Sequence, residues 1–243
     1  MKVISLFSGA GGFDIGFEQA GFEIVVAVES DPSCCNTLRK NKPHLQVIES
    51  DICQVTGAEI LKAAGLKKGD AALVIGGPPC QSFSLAGKRM GLNDVRGSMI
   101  LQFSRLVHEI LPKAFVMENV KGMLNWENGK AIEAVLNEFR EPAFYKNKKY
   151  IYDVTYSVLN AVNFGVPQKR ERLFIIGNRL GKKYSFPEPT HGSTLEQNLY
   201  NKKLLPIQTA WDAIGNLPEA EEPSDTAKRV SQTIKDRITK HGY

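Results

Sequence analysis

The 243-residue sequence has few of the residues that build metal-bound or disulfide-bonded proteins. Its four cysteines form no CxxC pair and its four histidines are scattered along the chain, so it predicts neither a zinc site nor a disulfide framework. No stretch approaches the roughly 20 apolar residues that a membrane helix needs, and the N-terminal MKVISLF is too short for a signal peptide. We therefore expect a cytoplasmic protein with no metal and no membrane partner.

Repeats and low-complexity segments are also missing, and the overall composition is that of a globular protein. Hydrophobic residues make up 42% and charged residues 23% of the chain, which disfavours disorder and suits one domain with a sizeable core. The 31 basic residues exceed the 26 acidic ones by five, giving a net charge of +5. This charge permits a polyanionic partner without requiring one.

Short β-branched runs alternate with helical patterns through most of the chain. Five such runs, each followed by a helical pattern, predict an α/β fold with a mostly parallel sheet and helices on both faces. The strands are expected at Val3–Phe7, Glu23–Glu29, Gln46–Ile48, Ala71–Ile75 and Ala114–Met117.

Two later runs, Val154–Ala161 and Leu173–Gly177, flank a turn-rich segment and predict an antiparallel hairpin at the sheet edge. From about Tyr184 prolines interrupt the pattern. Residues 1–183 are therefore predicted to form the main domain, with 184–243 as a peripheral extension. Ligands of such sheets bind beyond the carboxyl ends of the parallel strands.

A glycine-rich loop, Phe7-Ser8-Gly9-Ala10-Gly11-Gly12, lies between the first strand and the first helix. Glycines there allow the backbone to approach a ligand and present amides at a helix N-terminus, while Glu29, ending the second strand, could hold ribose hydroxyls. The spacing is not GxGxxG, and a tight turn without a ligand remains the alternative. The pattern favours an adenosine-bearing cofactor.

The segment Gly76-Gly77-Pro78-Pro79-Cys80-Gln81 follows the fourth strand directly. Its glycines and prolines predict a rigid, extended loop that presents Cys80 at the carboxyl edge, where a thiolate could act as a nucleophile. A cysteine at the end of a strand is more often a packing residue. The rigid frame and the edge position favour chemistry here.

Charged side chains follow the fifth strand and enter the last one. Glu118, at the end of a buried strand, must be paired or protonated, which suits a general acid; a helix N-cap is the alternative. Arg170 and Arg172 share a strand face and could grip an anion or a polar base edge. A solvated edge strand would explain the same arginines without a ligand.

Together these blocks resemble the DNA cytosine-5 methyltransferases, from Val3 to about Gly177. The family's motifs occur in order: the cofactor loop, the ribose acid Glu29, the adenine-side pair Asp51-Ile52, Pro-Pro-Cys-Gln at 78–81, Glu-Asn-Val at 118–120 and Gln-x-Arg-x-Arg at 168–172. The resemblance implies a Rossmann-like S-adenosylmethionine-dependent methyltransferase fold. It also implies double-stranded DNA as the substrate and S-adenosylhomocysteine as the product.

The resemblance further implies a role for each matching residue. The target cytosine is flipped out of the duplex, Cys80 attacks its C6, Glu118 binds the N3 and N4 edge, and Arg172, supported by Arg170, contacts O2. The residues implied in S-adenosylmethionine binding are Phe7, Ser8, Gly9, Ala10, Gly11, Gly12, Glu29, Asp51, Ile52, Pro78 and Leu101. Those implied in DNA binding are Gln81, Ser84, Lys88, Arg89 and Arg96.

Two departures from the family pattern matter. Ser30 stands where relatives often have an aromatic residue, and the target-recognition domain with its closing helix does not follow. We therefore expect the catalytic subunit of a split bacterial restriction-modification enzyme, acting on nucleoid DNA with a second polypeptide. A chain cut at the domain seam, an inactive remnant, a non-catalytic DNA-binding adaptor and an NAD-dependent oxidoreductase are the alternatives.

Overall fold

The computed structural model describes residues 1–79, 98–193, 203–217 and 224–241. Its strands are β1 (Lys2–Leu6), β2 (Glu23–Glu29), β3 (Gln46–Glu49), β4 (Leu73–Gly76), β5 (Ala114–Val120), β6 (Ala143–Tyr145), β7 (Lys148–Tyr150), β8 (Asp153–Asn160) and β9 (Glu171–Asn178). Its α-helices are α1 (Gly12–Gln19), α2 (Pro32–Asn41), α3 (Gly57–Ala63), α4 (Ser98–Ile110), α5 (Lys130–Arg140), α6 (Ala210–Ile214) and α7 (Asp225–His241). Two 3₁₀ helices cover Lys121–Gly129 and Ala161–Phe164.

The main sheet has seven strands in the order β3-β2-β1-β4-β5-β9-β8. Strands β1 to β5 run parallel, and β9 is antiparallel to both of its neighbours, β5 and β8. The predicted mostly parallel sheet with an antiparallel edge hairpin is confirmed. A second hairpin, β6-β7, was not predicted, because its two short strands contain no β-branched residue.

Alternate residues of the central strands pack against helices on opposite faces of the sheet. Ile4 and Leu6 belong to the larger core cluster, which includes Phe103 of α4 and Phe139 of α5. Val3 lies on the other face, in a smaller cluster with strand residues Ile24, Leu73 and Ile75 and with Phe13 and Phe17 of α1. This period-two alternation buries both faces of the sheet, as a parallel sheet requires.

Two strand boundaries differ from the predicted ones in ways that affect the site. Strand β1 ends at Leu6, because Phe7 has a φ of +54° and leaves the extended region. Strand β5 continues past Met117 to Val120, because the antiparallel β9 pairs with it as far as Val120 and Arg172. Glu118 therefore lies inside the strand and not beyond its end.

Part of the C-terminal segment packs on the turn that joins β8 to β9. The amides of Thr190 and His191 both donate to the Asn163 carbonyl oxygen, at 2.9 and 3.0 Å. Further along, Trp211 of α6 is 75% exposed. Within the described ranges, none of the helices combines the length and apolar character needed to cross a membrane.

Candidate active site

The loop between β1 and α1 depends on backbone conformations that favour glycine. Phe7, Gly9 and Gly11 all have positive φ, at 54°, 53° and 88°. A Cβ on Gly11 would also lie 2.9 Å from Cδ2 of Leu38, so a side chain there would be both strained and crowded. The loop therefore turns sharply out of the sheet and leads directly into the N-terminus of α1.

Glu29 fixes this loop to the end of β2. Its Oε2 accepts a hydrogen bond from the Gly9 amide at 2.7 Å, and its Oε1 accepts from the amides of Ser30 and Asp31 at 2.8 and 2.9 Å. Three backbone amides thus hold one carboxylate in a single orientation. The predicted ribose acid is placed beside the glycine loop at the carboxyl edge of the sheet.

The predicted adenine-side residues lie next to Glu29, after β3. The Ser50 amide donates to the Glu29 carbonyl oxygen at 3.0 Å, which joins the two strand ends. Asp51 is exposed, and its Oδ1 accepts from the Cys53 amide at 2.8 Å. Ile52 is 5% exposed and packs into the larger core cluster, so the turn is anchored by its apolar side chain.

Glu118 forms an ion pair with Arg172 across β5 and β9. Arg172 Nε lies 2.8 Å from Glu118 Oε1, and each side chain is about three-quarters buried. Glu171 lies between Arg170 and Arg172 in the sequence and points away from this ion pair. Its Oε1 pairs with Lys121 Nζ at 2.9 Å. The ion pair supplies the partner that a carboxylate in a buried strand needs.

A single cavity of about 560 Å³ connects the glycine loop with this ion pair. It is lined by residues from β1, the glycine loop, the start of α1, the end of β4, β5, β8, the β8-β9 turn and β9: Ser5, Leu6, Phe7, Ser8, Gly12, Phe13, Gly77, Glu118, Leu159, Ala161, Phe164, Arg170, Arg172 and Phe174. A Cβ on Gly77 would lie 3.2 Å from Glu118 Oε2, so glycine lets the carboxylate approach the end of β4 closely.

The cavity brings together six of the predicted site residues: Phe7, Ser8, Gly12, Glu118, Arg170 and Arg172. The other predicted residues in the described ranges do not line it: Gly9, Ala10, Gly11, Glu29, Asp51, Ile52, Pro78 and Leu101. Pro78 is buried, and Leu101 is half-buried on α4. The predicted nucleophile Cys80 and the DNA-binding candidates Gln81, Ser84, Lys88, Arg89 and Arg96 lie outside the described residues.

Asn119 belongs to the Glu-Asn-Val motif, but no role was predicted for it from the sequence. Its side chain is 3% exposed; Nδ2 donates to the Pro78 carbonyl oxygen at 3.2 Å, and Oδ1 accepts from the Val120 amide at 2.8 Å. It therefore ties β5 to the loop that leads to Cys80. Its position after Glu118 in a buried strand was the available signal, since a buried amide needs partners.

Asp14, in the first turn of α1, is a second residue that the sequence analysis missed. It is fully buried, and its Oδ1 accepts a hydrogen bond from Ser5 Oγ at 2.5 Å. Ser5 also lines the cavity. Burial raises the pKa of this carboxyl above its usual value, against the lowering effect of the Ser5 hydrogen bond. No clear signal in the sequence marked it, because Glu18, four residues later, places a second acid on the same helix face.

The fold is shared with solved methyltransferases. A DNA modification methyltransferase encoded within an E. coli prophage superposes with a TM-score of 0.69 at 28% identity, covering 91% of this chain and 56% of that chain. The S. pombe Dnmt2 methyltransferase gives 0.55 at 22% identity, covering 76% and 51%. The chain therefore has the Rossmann-like fold of S-adenosylmethionine-dependent methyltransferases.

The chain belongs to the C-5 cytosine-specific DNA methylase family, whose sequence profile matches residues 1–242. Among curated relatives, the type II methyltransferase M.AquIA of Picosynechococcus sp. is 61% identical, over 100% of this chain and 99% of the relative. M.XorII of Xanthomonas oryzae pv. oryzae is 42% identical over 90% and 46%, and M.FnuDI of Fusobacterium nucleatum is 43% identical over 78% and 51%. The chain spans the whole of one relative and about half of two others.

Membership confirms the family resemblance drawn from the sequence motifs. It makes the chain a DNA methyltransferase specific for C5 of cytosine, and this reaction implies S-adenosylmethionine as the methyl donor.

Proposed function

We propose that this chain methylates C5 of a cytosine flipped out of duplex DNA, through a covalent bond between Cys80 and C6. The observation that carries the proposal is the single cavity that joins the glycine loop to the Glu118–Arg172 ion pair. A transferase needs its donor site and its acceptor site to be continuous, so that the reacting atoms can meet. A base inside a duplex stack could not enter such a cavity, hence the requirement for flipping.

The residues around the glycine loop fit S-adenosylmethionine, which supplies an activated methyl group when bound. Gly12 presents no side chain to the cavity, and the half-buried Phe7 lines it and offers an aromatic face for the adenine. Glu29 is oriented by three amides and is suited to the ribose hydroxyls. The remaining contacts in the proposal are the amides of Ser8–Gly12, the adenine edge at Asp51 and Ile52, and the walls at Pro78 and Leu101.

The chain's own groups would act on the cytosine in sequence. The Cys80 thiolate adds to C6, the C5–C6 double bond opens, and its electron pair becomes available at C5 for the incoming methyl group. Glu118 holds the N3 and N4 edge and shares a proton with the ring, while Arg172 contacts O2 and Arg170 supports it. A base then takes the C5 proton, the C5–C6 double bond re-forms and Cys80 leaves as thiolate.

The ion pair gives the acceptor side of the cavity its orientation before the base arrives. With Arg172 Nε at 2.8 Å, Glu118 is held against the wall formed by Gly77, and both charges point into the same cavity. A polar base edge entering there finds one acceptor group and one donor group already placed. Preorganisation of this kind lowers the reorganisation needed in the transition state.

We also propose a division of the chain and a requirement for a partner. Residues 1–183 form the catalytic domain, and 184–243 form an extension toward a recognition domain carried by a second polypeptide. Gln81, Ser84, Lys88, Arg89 and Arg96 contact the DNA. The partner proposal is supported by M.AquIA, a curated relative of matching length, beside M.XorII and M.FnuDI, which are longer and match this chain over only 46% and 51% of their own lengths.

The test measures transfer of a radioactive methyl group from S-adenosylmethionine to duplex DNA, with and without candidate partner chains. We expect incorporation at cytosine C5 with a partner, loss of incorporation in Cys80→Ser, and little site-specific transfer by the chain alone. Calorimetry compares S-adenosylmethionine with NADH on the same preparation. Robust site-specific methylation by the chain alone refutes the partner requirement, and binding of NADH in place of S-adenosylmethionine refutes the proposed function.

A further inference from the structure

Arg105 on α4 contacts the loop after β3 with an extended set of hydrogen bonds. Its Nη2 donates to the carbonyl oxygens of Ile52 and Val55, both at 3.0 Å. Its other nitrogens are also paired: Nε donates to Gln102 Oε1 at 2.6 Å, and Nη1 donates to Glu109 Oε1 at 2.8 Å. The planar guanidinium can make all four contacts at once, which a lysine ammonium on its flexible stem cannot.

Glu109 extends the same network to the start of α3. Its second carboxylate oxygen, Oε2, accepts from the Gly57 amide at 2.6 Å. A Cβ on Gly57 would lie 2.5 Å from the Cβ of Glu109, so α3 and α4 are in contact at this point. Arg105 and Glu109 thus attach the segment 52–57 to α4 along its whole length.

The loop's own hydrogen bonds set its shape but do not attach it to α4. The Gln54 amide donates to the Asp51 carbonyl oxygen at 2.9 Å, and the Cys53 amide donates to Asp51 Oδ1 at 2.8 Å. Both bonds close a turn within four residues. The position of that turn relative to α4 is set by Arg105 and by the buried Ile52 side chain.

We propose that Arg105 is a positioning residue for S-adenosylmethionine. It holds Asp51 and Ile52 where the adenine edge binds, by fixing the carbonyl oxygen of Ile52 within their turn and that of Val55 directly after it. Glu109 holds the Arg105 guanidinium in place. The inference rests on the proposed function, because it requires the donor to bind beside this loop. Without the hydrogen bonds from Arg105, the turn samples several positions. Only one of them can bind S-adenosylmethionine, so the apparent affinity for the cofactor falls.

The chain offers a matched control in Arg179. Its guanidinium also donates to several backbone carbonyls, those of Pro112 at 2.9 Å, Gly69 at 2.9 Å and Leu111 at 3.0 Å. These lie near the start of β5, at the opposite edge of the sheet from the glycine loop. Arg179→Lys therefore removes a similar network without touching the proposed donor site.

The experiment measures the Kd of S-adenosylhomocysteine by calorimetry and the melting temperature for the full-length wild type, Arg105→Lys and Arg179→Lys. Both variants should melt at lower temperature, but only Arg105→Lys should raise the Kd, by about tenfold, equivalent to about 1.4 kcal/mol. In methylation assays its KM for S-adenosylmethionine should rise with kcat within about twofold, because the bound state is the same once formed.

Different results would contradict the positioning role and the proposed function on which it rests. An unchanged Kd in Arg105→Lys, or an equal rise in both variants, overturns the positioning role. Failure of the wild type to bind S-adenosylhomocysteine overturns the proposed function instead. If Arg105→Lys does not fold, Glu109→Gln takes its place, since it weakens the hold on Arg105 while keeping the shape of the side chain; a wild-type Kd in Glu109→Gln then overturns the role.

Discussion

Replacing Asn119 by alanine should reduce both stability and turnover, for reasons that can be separated. The change removes the bond from Nδ2 to the Pro78 carbonyl oxygen and the bond from the Val120 amide to Oδ1, at a side chain that is 3% exposed. At about 1 kcal/mol for each lost bond, the free energy of unfolding should fall by about 2 kcal/mol. For a chain of this size that lowers the melting temperature by about 4–8 °C.

Turnover should fall further than stability explains. Pro78 lies two residues before Cys80, so a loop released from Asn119 presents the nucleophile less accurately, and a displacement of about 1 Å costs on the order of 100-fold in rate. We expect kcat to fall by about 10- to 100-fold, measured below the melting transition with saturating DNA and S-adenosylmethionine. The Kd of S-adenosylhomocysteine should rise by a smaller factor, because Pro78 is only one of several residues proposed to contact the cofactor.

Asn178 provides the control for this prediction. It is also buried in a strand, and its side chain makes two similar bonds. Its Nδ2 donates to the Lys182 carbonyl oxygen at 2.9 Å, and its Oδ1 accepts from the Leu180 amide at 3.1 Å. Asn178 pairs with Ala114 at the start of β5, however, at the end of the strands opposite to the candidate site. Asn178→Ala should lower the melting temperature similarly and leave kcat unchanged. A wild-type kcat in Asn119→Ala, or an equal loss in both variants, would refute the reasoning.

Two further substitutions probe the base of the glycine loop. For Asp14→Asn, the free energy of unfolding should rise relative to that of the wild type as pH increases from about 4 toward neutrality. The reason is that the raised pKa of the buried Asp14 carboxyl makes its ionisation costly in the folded state and not in the unfolded state. Denaturant unfolding at several pH values measures this difference, and a difference that does not change with pH contradicts the prediction. Gly11→Ala should destabilise the fold by about 1–3 kcal/mol, because of its φ of +88° and the 2.9 Å approach to Leu38, and should weaken S-adenosylhomocysteine binding; wild-type binding in a folded variant contradicts it.

Most of the sheet could be predicted from the sequence because its strands carry strong local signals. The runs of β-branched residues in β1, β2 and β4 are apolar on both faces, which is the pattern of a buried parallel sheet. The bounds were less predictable where tertiary pairing decides them. Val120 stays extended because Arg172, some fifty positions later in the chain, pairs with it, and no local signal reports that.

Residues of the candidate site could be predicted from the sequence where a residue type suits one chemical task. They were missed where their role depends on a hydrogen-bond partner that is distant in the sequence. Glu118 and Arg172 stood out as charges at strand ends, and the structure pairs them in one cavity. The hydrogen bond from Arg105 to the Ile52 carbonyl joins residues 53 positions apart, so no local sequence pattern indicates it. The role of Asn119 was not predicted for the same reason, since its partner Pro78 is 41 positions away.

The most direct test of the central claim is covalent trapping on duplex DNA that contains 5-fluorocytosine. Fluorine at C5 cannot leave as a proton does, so a cysteine bonded to C6 stays attached after methyl transfer. With S-adenosylmethionine and a competent partner chain, we predict a stable protein–DNA adduct whose digestion maps the bond to Cys80. No adduct with any candidate partner, or an adduct that still forms in Cys80→Ser, would contradict the account.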